Sequence, residues 1–265
     1  MTLPRPIEGG FRRYVAIGDS STEGLDDPDG RGGYRGWADR FAELIAGSQG
    51  ELRYANLAIR GRTTRQILEQ QLPVALSMHP DLATVFSGTN DVVRRSFDAE
   101  GLERDIGEMQ SRLVDQGARV LSFTLPDLAS IMPLAALLAD RVDEMNQRLR
   151  ELCPRTGATL VDLAAHPVAS DPRLWSADRL HANSKGHARM AAALAHAIGL
   201  PGADARWSEP LPEAPRAGWP RRTASELAWW VRFFVPWVGR RLAGRSSGDS
   251  ISAKRPRLRP VEPLG

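Results

Sequence analysis

The chain has 265 residues, of which 42% are hydrophobic and 25% are charged, proportions that are ordinary for a globular protein. Cys153 is its single cysteine, which excludes an internal disulfide framework and fits a reducing compartment. The first residues, Met1 to Tyr14, lack the apolar core of a secretory signal, and no apolar stretch is long enough to span a bilayer. These features predict a cytoplasmic protein with one large hydrophobic core.

The net charge of +3 is unevenly distributed along the chain. Residues 201–265 hold 12 Lys and Arg against 6 Asp and Glu, whereas residues 1–200 hold 23 against 26. The basic excess therefore lies in the C-terminal segment and not on the predicted folded body. This distribution argues against a nucleic-acid-binding domain, so no nucleic-acid partner is predicted.

Five short apolar runs in the first 200 residues predict β-strands that alternate with helices. The runs lack the alternation of apolar and polar residues that marks a strand with one solvent-exposed face. They are typical of strands in a parallel sheet that helices cover on both faces. The predicted strands are Tyr14–Ile17, Arg53–Leu57, Leu82–Ser87, Arg119–Thr124 and Thr159–Leu163.

Helix-period segments between these strands carry recognisable start and stop signals. Asp98 is placed to cap a helix that ends at Gly117, and Asn183 or Ser184 is placed to cap the last helix. Pro73 lies inside the second segment and is expected to kink or split it. The predicted helices cover residues 34–47, 64–78, 98–116, 134–152 and 184–198.

A serine follows the first predicted strand in the segment Gly18-Asp19-Ser20. Residues at the carboxyl ends of parallel strands lie where doubly wound sheets place their sites. Ser20 is therefore a candidate nucleophile, and Asp19 is expected to orient the turn through hydrogen bonds. The alternative is a strand-ending turn with a capping serine, since Gly-Asp-Ser is common in turns.

Candidate donors for an oxyanion follow the second and third predicted strands. Gly61 offers a backbone N–H that no side chain obstructs, and Asn90 offers a side-chain amide. The alternative for Gly61 is a turn glycine followed by a capping threonine. The alternative for Asn90 is a helix cap, because asparagine–aspartate pairs often serve that purpose.

Asp178 and His181 lie directly before the final predicted helix. A spacing of three residues lets the carboxylate reach Nδ1 of the imidazole and leaves Nε2 available as a base. The alternatives are a helix-capping aspartate beside a surface histidine, or a pair of metal ligands. No cysteine cluster or His-Glu-x-x-His motif supports a zinc site, so no metal is predicted. His187 is expected to support the helix rather than to act as a second base.

Taken together, the four segments resemble the sequence blocks of the SGNH or GDSL hydrolase family. The resemblance covers about residues 12–199, and Ser21 stands where the family often has leucine. It implies a three-layer α/β/α fold like that of flavodoxin, with five parallel strands in the order 2-1-3-4-5. It also implies ester hydrolysis without a metal or a cofactor. The matching residues are Gly18-Asp19-Ser20, Gly61, Gly88-Thr89-Asn90-Asp91 and Asp178-Arg179-Leu180-His181.

The residues and the resemblance predict a serine esterase that acts on a small-molecule ester through an acyl-enzyme. Ser20 is the expected nucleophile, and His181, oriented by Asp178, is the expected proton carrier. The oxyanion is expected to bind the backbone N–H groups of Ser20 and Gly61 and the side-chain amide of Asn90. The alternatives are a carbohydrate deacetylase, a lysophospholipase or a thioesterase of the same family, or a non-catalytic binding module on this fold.

Changes in composition divide the chain into four predicted parts. Residues 1–200 form the hydrolase domain, and the proline-rich residues 201–221 form an extended connector. Residues 222–243 form a tryptophan-rich apolar helical segment, and the basic residues 244–265 form a tail that is poorly ordered unless it docks. Three roles are open for the apolar residues 227–242: packing on the hydrolase core, weak contact with a membrane surface, or binding of a partner protein.

Overall fold

A computed structural model describes residues 10–127, 129, 131–213, 248 and 251–262. These residues form one sheet of six strands in the order β5-β4-β3-β1-β2-β6. The first five strands run parallel, and β6 runs antiparallel to β2. The strands are β1 (Arg13–Gly18), β2 (Arg53–Asn56), β3 (Leu82–Phe86), β4 (Arg119–Phe123), β5 (Thr159–Val161) and β6 (Arg255–Pro260).

Helices in the described ranges pack around the sheet in two groups. One group contains α2 and α8, which pack against each other, and the other contains α6 with its neighbours α3 and α7. The α-helices are α1 (Ser20–Glu23), α2 (Gly36–Gln49), α3 (Thr64–Gln70), α4 (Leu72–Ser77), α5 (Thr89–Val92), α6 (Ala99–Asp115), α7 (Ala139–Thr156) and α8 (Ser184–Ala197). Short 3₁₀ helices cover Pro133–Leu138, Leu163–Ala165, Pro167–Ser170, Pro172–Leu174 and Ala205–Ser208.

The residues predicted to cap or interrupt helices do so at the expected positions. The Asp98 side chain caps α6 by accepting the N–H of Gly101 at 3.0 Å. Asn183 caps α8 by accepting the N–H of Lys185 at 2.9 Å. The helix around Pro73 is split, since α3 ends before α4 begins and the proline lies in the first turn of α4, where its missing N–H is not needed.

The α/β class and the flavodoxin-like arrangement are confirmed, with the predicted order of the first five strands. The predicted count of five strands is wrong, because β6 extends the sheet beyond β2. The sequence of β6 alternates arginine with proline and leucine, so no apolar run marks it as a strand. Proline is tolerated there because the strand lies at the sheet edge, where a missing N–H need not be paired.

Polar contacts as well as backbone pairing hold β6 in place. The Arg255 guanidinium donates from Nε to the Tyr54 carbonyl at 2.8 Å, and Lys254 Nζ lies 2.9 Å from Asp39 Oδ1. The tail was predicted to be poorly ordered unless it docks, and residues 255–260 dock on β2 as an edge strand. No apolar run predicts this strand, because its attachment depends on charged side chains.

Part of the predicted C-terminal organisation lies outside the described residues. The tryptophan-rich segment 222–243 lies there entirely, as does the connector beyond residue 213. The connector was expected to be extended, but its described part contains the 3₁₀ helix Ala205–Ser208, which packs on α8. Within the described ranges, no helix combines the length and the apolar character that crossing a membrane requires.

An aromatic cluster fills the core beneath the carboxyl edge of the sheet. Trp37 on α2 is fully buried and packs edge to face on Phe123, with ring centres 5.1 Å apart. Phe86 at the end of β3 packs in the same manner on Phe123 at 5.4 Å. Such interlocked rings favour one arrangement of the surrounding elements, so the cluster supports the loops above it.

Candidate active site

Ser20 begins α1 directly after β1, which places it at the carboxyl edge of the sheet. Asp19 caps this short helix, because its Oδ1 accepts the N–H of Ser21 at 3.1 Å. Gln71 fixes Gly18, the residue before Asp19. Its side chain accepts the N–H of Gly18 and donates to the Gly18 carbonyl, both at 2.9 Å. The loop that carries Ser20 is therefore fixed from both sides.

Ser20, His181 and Asp178 are joined by hydrogen bonds, although Ser20 and His181 are 161 residues apart in the sequence. His181 Nε2 lies 2.8 Å from Ser20 Oγ, and His181 Nδ1 lies 2.6 Å from Asp178 Oδ2. Asp178 Oδ1 accepts the backbone N–H groups of Leu180 at 2.9 Å and His181 at 3.0 Å. These backbone contacts hold the carboxylate and the imidazole in one rigid turn.

Electrostatics within this group favour an ionised aspartate. Burial acts to raise the pKa of Asp178, but the hydrogen bond and charge of His181 outweigh it and hold the pKa well below its usual range. Burial also acts to lower the pKa of His181, and the hydrogen bond and charge of Asp178, helped by the charge of Asp26, raise it above its ordinary value. The pair thus stabilises a positive imidazolium, which a general base becomes during catalysis.

A second carboxylate lies close to this group. Ser176 Oγ lies 2.6 Å from Asp178 Oδ1 and 2.6 Å from Asp26 Oδ2, so one hydroxyl connects two aspartates. Asp26 has a φ of +65°, a left-handed conformation that is uncommon for residues other than glycine. Sequence reasoning missed Asp26 because it lies in a polar, glycine-rich loop far along the chain from His181, with no motif around it.

Among the described residues, Asp26, Asp178 and His181 are also the one group of three or more His, Cys, Asp or Glu side chains whose potential ligand atoms all lie within 4.8 Å of one another. Nδ1 of His181 is directed at Asp178, and the Ser176 hydroxyl lies between the two carboxylates. A metal at this position would have to replace those hydrogen bonds. The closeness of the three side chains is thus already explained by their contacts with each other and with Ser176.

The candidate oxyanion donors come from three neighbouring loops at the same edge. Gly61 lies in the turn after β2 with a φ of +76°, a conformation that glycine adopts without strain. Asn90 lies in α5 after β3, and its Nδ2 donates to Asp19 Oδ2 and to the Arg62 carbonyl, both at 3.1 Å. The Asn90 amide is therefore beside the Ser20 loop, with its N–H groups directed at these two acceptors.

Two sets of contacts tie these loops together. Glu23 forms an ion pair with Arg60, and its Oε2 also accepts the Arg60 N–H at 2.9 Å. Asp91 Oδ2 accepts the backbone N–H of Thr64 at 3.0 Å and the Thr64 hydroxyl at 2.9 Å. The loop that contains Gly61 is consequently attached to the loops of Ser20 and Asn90.

Two buried titratable groups support the site. Burial raises the pKa of Asp19 to about 6, against the opposing effect of the Ser21 N–H. Burial also lowers the pKa of His187 to about 4, so its imidazole is neutral near pH 7. His187 Nδ1 accepts the N–H of Trp37 at 3.1 Å, and Nε2 donates to the Leu25 carbonyl at 3.0 Å. These contacts place His187 in a supporting position between α8, α2 and the loop after α1.

Ser20 and His181 line a cavity that opens to solvent. Most of its other walls are apolar, which is typical of a ligand site with a few polar groups at one end. The apolar residues come from the ends of β3, β4 and β5, from the loop that carries His181, and from α8 and the segment after it. They include Phe86, Leu125, Pro126, Leu163, Val168, Leu174, Leu180, Met190 and Trp207.

Comparisons with known proteins agree with this arrangement. The model of the GDSL-like lipase/acylhydrolase family matches residues 16–189, whereas no curated protein matches the chain. The structure is similar to LAE5, an alpha/beta hydrolase enzyme from the metagenome of Lake Arreo, Spain. The two chains are 22% identical with a TM-score of 0.60, over 71% of this chain and 95% of LAE5.

Two further solved structures resemble the chain. One is a catalytic mutant of Axe2, an acetylxylan esterase from Geobacillus stearothermophilus, at 18% identity and a TM-score of 0.60 over 77% of this chain and 99% of that one. The other is a lipase/acylhydrolase from Enterococcus faecalis, at 22% identity and a TM-score of 0.59 over 71% of this chain and 95% of that one. At these identities the likeness shows the fold and not the substrate.

The fold is a flavodoxin-like α/β fold, with its polar cluster at the carboxyl edge of a mostly parallel sheet. The chain belongs to the GDSL-like lipase/acylhydrolase family, whose model spans residues 16–189. The family contains esterases and acylhydrolases, so the chain is assigned to the hydrolases.

Proposed function

We propose that the chain is a serine ester hydrolase that cleaves a carboxylic ester through an acyl-enzyme on Ser20. The observation that carries this proposal is the continuous hydrogen-bonded series from Ser20 Oγ through His181 to Asp178, with distances of 2.8 and 2.6 Å. A hydroxyl becomes an effective nucleophile when an adjacent base takes its proton and a third group orients that base. The series supplies all three roles.

In the first half of the reaction, Ser20 Oγ attacks the acyl carbon while His181 Nε2 takes the hydroxyl proton. The carbonyl oxygen gains a negative charge, and the C–O bond to the leaving group then breaks. The leaving alcohol takes the proton from Nε2, and the acyl group stays on Ser20. Asp178 remains ionised throughout and stabilises the imidazolium, in keeping with its depressed pKa.

In the second half, water attacks the acyl carbon and gives a proton to His181 Nε2. The bond from the acyl carbon to Ser20 Oγ breaks, Oγ takes the proton back, and the carboxylic acid leaves. In both halves the charged oxygen is stabilised by the backbone N–H groups of Ser20 and Gly61 and by the Asn90 amide. Asn90 reaches the oxygen by turning one N–H away from Asp19 or from the Arg62 carbonyl, its present acceptors.

We propose that neither a metal nor a cofactor takes part, because the nucleophile, base and oxyanion donors are all side-chain or backbone groups of this chain. In this mechanism Asp178 and His181 are hydrogen-bonded to each other and are not available as metal ligands. Activity is therefore expected to be unchanged after dialysis against EDTA. A loss of turnover on chelation, restored by a divalent cation, would contradict this part of the proposal.

The experiment that tests the function compares Ser20→Ala with a matched control, Ser77→Ala, which removes an exposed hydroxyl on α4. Turnover of a short-chain p-nitrophenyl ester is measured for both variants and for the unchanged chain. Ser20→Ala is expected to abolish turnover while the melting temperature stays near that of the unchanged chain, and Ser77→Ala is expected to alter neither. Near-normal turnover by Ser20→Ala would reject the mechanism.

A further inference from the structure

One face of α8 forms part of the wall of the cavity beside Ser20. Gly186, Arg189 and Met190 line it, and their spacing of i, i+3 and i+4 places them on the same helix face. From Gly186 to Met190 the helix rises about 6 Å. Trp207 lines the cavity as well, and its indole N–H donates to His196, nearer the carboxyl end of α8, at 3.2 Å. Trp207 and the proposed catalytic residues therefore line the same cavity.

Two polar side chains of the cavity wall donate to backbone carbonyls of the protein. Arg189 Nη1 donates to the carbonyls of Trp207 and Glu209, both at 2.6 Å. The Trp175 indole N–H donates to the Ala169 carbonyl at 2.9 Å. A sugar hydroxyl placed beside these two donors would not find them available, at a cost for each buried polar group left unpaired. An aliphatic chain has no such groups and gains from leaving water.

Several contacts fix Trp207 in the wall of the cavity. It lies in the 3₁₀ helix Ala205–Ser208, and its ring packs edge to face on His166 with centres 4.6 Å apart. Its carbonyl and its indole N–H are both bonded to α8. Two contacts thus hold the large aromatic side chain, and a third holds its backbone. Trp207 also lies beyond residue 189, where the match to the family model ends.

We propose that the cavity binds an unbranched aliphatic chain of the ester and that Trp207 is the end wall that limits the length of this chain. The inference rests on the proposed function, because it needs Ser20 to be the nucleophile. The aliphatic chain belongs either to the acyl group or to the alcohol, since both flank the attacked carbon. The substrate class is thus a lipid-like ester rather than an acetylated sugar.

The test measures kcat/KM for two ester series: p-nitrophenyl esters of straight-chain acids of rising length, and acetates of straight-chain alcohols of rising length. In one series kcat/KM is expected to rise about fourfold for each added methylene and then to stop rising once the chain reaches Trp207. The series that shows this rise identifies which side of the ester occupies the cavity. A flat profile in both series, or a preference for an acetylated xylooligosaccharide, would overturn the inference.

Two variants and one control test the end wall. Trp207→Ala is expected to move the length limit to longer chains, and Ala169→Leu, which adds bulk to the cavity lining, is expected to move it to shorter chains while acetate esters are still cleaved. Val74→Ala, on the exposed side of α4, is expected to leave the profile unchanged. Melting temperatures show whether each variant is folded, and Ala169→Leu keeps the test decisive if Trp207→Ala unfolds.

Failure of this inference differs from failure of the proposed function. If Ser20→Ala abolishes turnover but no variant changes the length limit, the cavity proposal is wrong and the serine esterase remains. If Ser20→Ala retains turnover, the proposed function is wrong whatever the length profile shows. An unchanged limit in both Trp207→Ala and Ala169→Leu, with folded proteins, would exclude Trp207 as the end wall.

Discussion

Replacing Asp178 by asparagine tests how the imidazole is oriented, because the structure dictates which way the new side chain must face. Oδ1 of Asp178 accepts the N–H groups of Leu180 at 2.9 Å and His181 at 3.0 Å. The amide oxygen of the replacement must keep this position, since an amide N–H₂ cannot accept these bonds. The amide nitrogen therefore takes the place of Oδ2 and faces Nδ1 of His181, which is 2.6 Å from Oδ2 in the unchanged chain.

Facing an N–H₂ group, Nδ1 must act as an acceptor, so the imidazole proton moves to Nε2. His181 then presents an N–H to Ser20 and cannot take the hydroxyl proton. The His181 side chain is only 12% exposed, so water does not readily restore the original tautomer. In hydrolases with this constellation the wrong tautomer costs about ten-thousandfold in kcat, or ~5.4 kcal/mol.

The assay is kcat for a short-chain p-nitrophenyl ester at pH 7, with the melting temperature measured in parallel. Asp178→Asn is expected to lower kcat about ten-thousandfold with a near-normal melting temperature, because the backbone hydrogen bonds persist. Asp171→Asn is the matched control, since Asp171 caps the 3₁₀ helix Pro172–Leu174 in the same loop without contacting His181. A kcat for folded Asp178→Asn within tenfold of normal would refute the reasoning.

Three more changes test other parts of the site. Asn90→Ala removes a proposed oxyanion donor and is expected to lower kcat about a hundred- to a thousandfold, and an effect on KM alone would contradict that role. Asp26→Asn removes a negative charge that raises the pKa of His181, so the acid limb of the kcat profile is expected to move to lower pH, and an unmoved limb would contradict the coupling. His187→Gln leaves one buried backbone partner unpaired and is expected to destabilise the fold by about 1–3 kcal/mol, measured by urea unfolding. The folded His187 has a pKa of about 4, below the unfolded value, so the unfolded state binds more protons and stability falls as pH drops from about 6.5 towards 4. Asp19, with its pKa raised to about 6, changes stability in the opposite direction in part of this pH range. The test therefore compares how steeply the free energy of unfolding changes with pH in the unchanged chain and in His187→Gln. The variant is expected to lose less stability as the pH falls.

The parallel part of the fold was predictable because buried strands leave apolar runs that need no tertiary information to recognise. The sixth strand was not, since Arg255–Pro260 is held by hydrogen bonds to β2, and the preceding Lys254 by an ion pair with Asp39 on α2. Only the folded chain brings these partners together. An apolar run can be recognised from neighbouring residues alone. The attachment of a basic tail to a sheet edge cannot, because it depends on residues that are far apart in the sequence.

The same distinction applies to the site. Ser20, Asp178 and His181 could be predicted to lie together because each is placed at one edge of the predicted sheet, and a parallel sheet brings the loops at that edge together. Asp26 was missed because only the folded chain brings its loop to Ser176, with a 2.6 Å contact between residues 150 positions apart. The present partners of the Asn90 amide, Asp19 and Arg62, depend likewise on side-chain packing that sequence spacing does not reveal.

Direct detection of the modified serine tests the central claim that Ser20 is the nucleophile activated by His181. The folded protein is treated with a fluorophosphonate, digested, and mapped by mass spectrometry, and the rate of labelling is compared with that of His181→Ala. We expect a single adduct on Ser20, formed in step with the loss of esterase activity, and much slower labelling of His181→Ala. An adduct on a different residue as activity disappears, or labelling of Ser20 that is just as fast without the imidazole, would contradict the account.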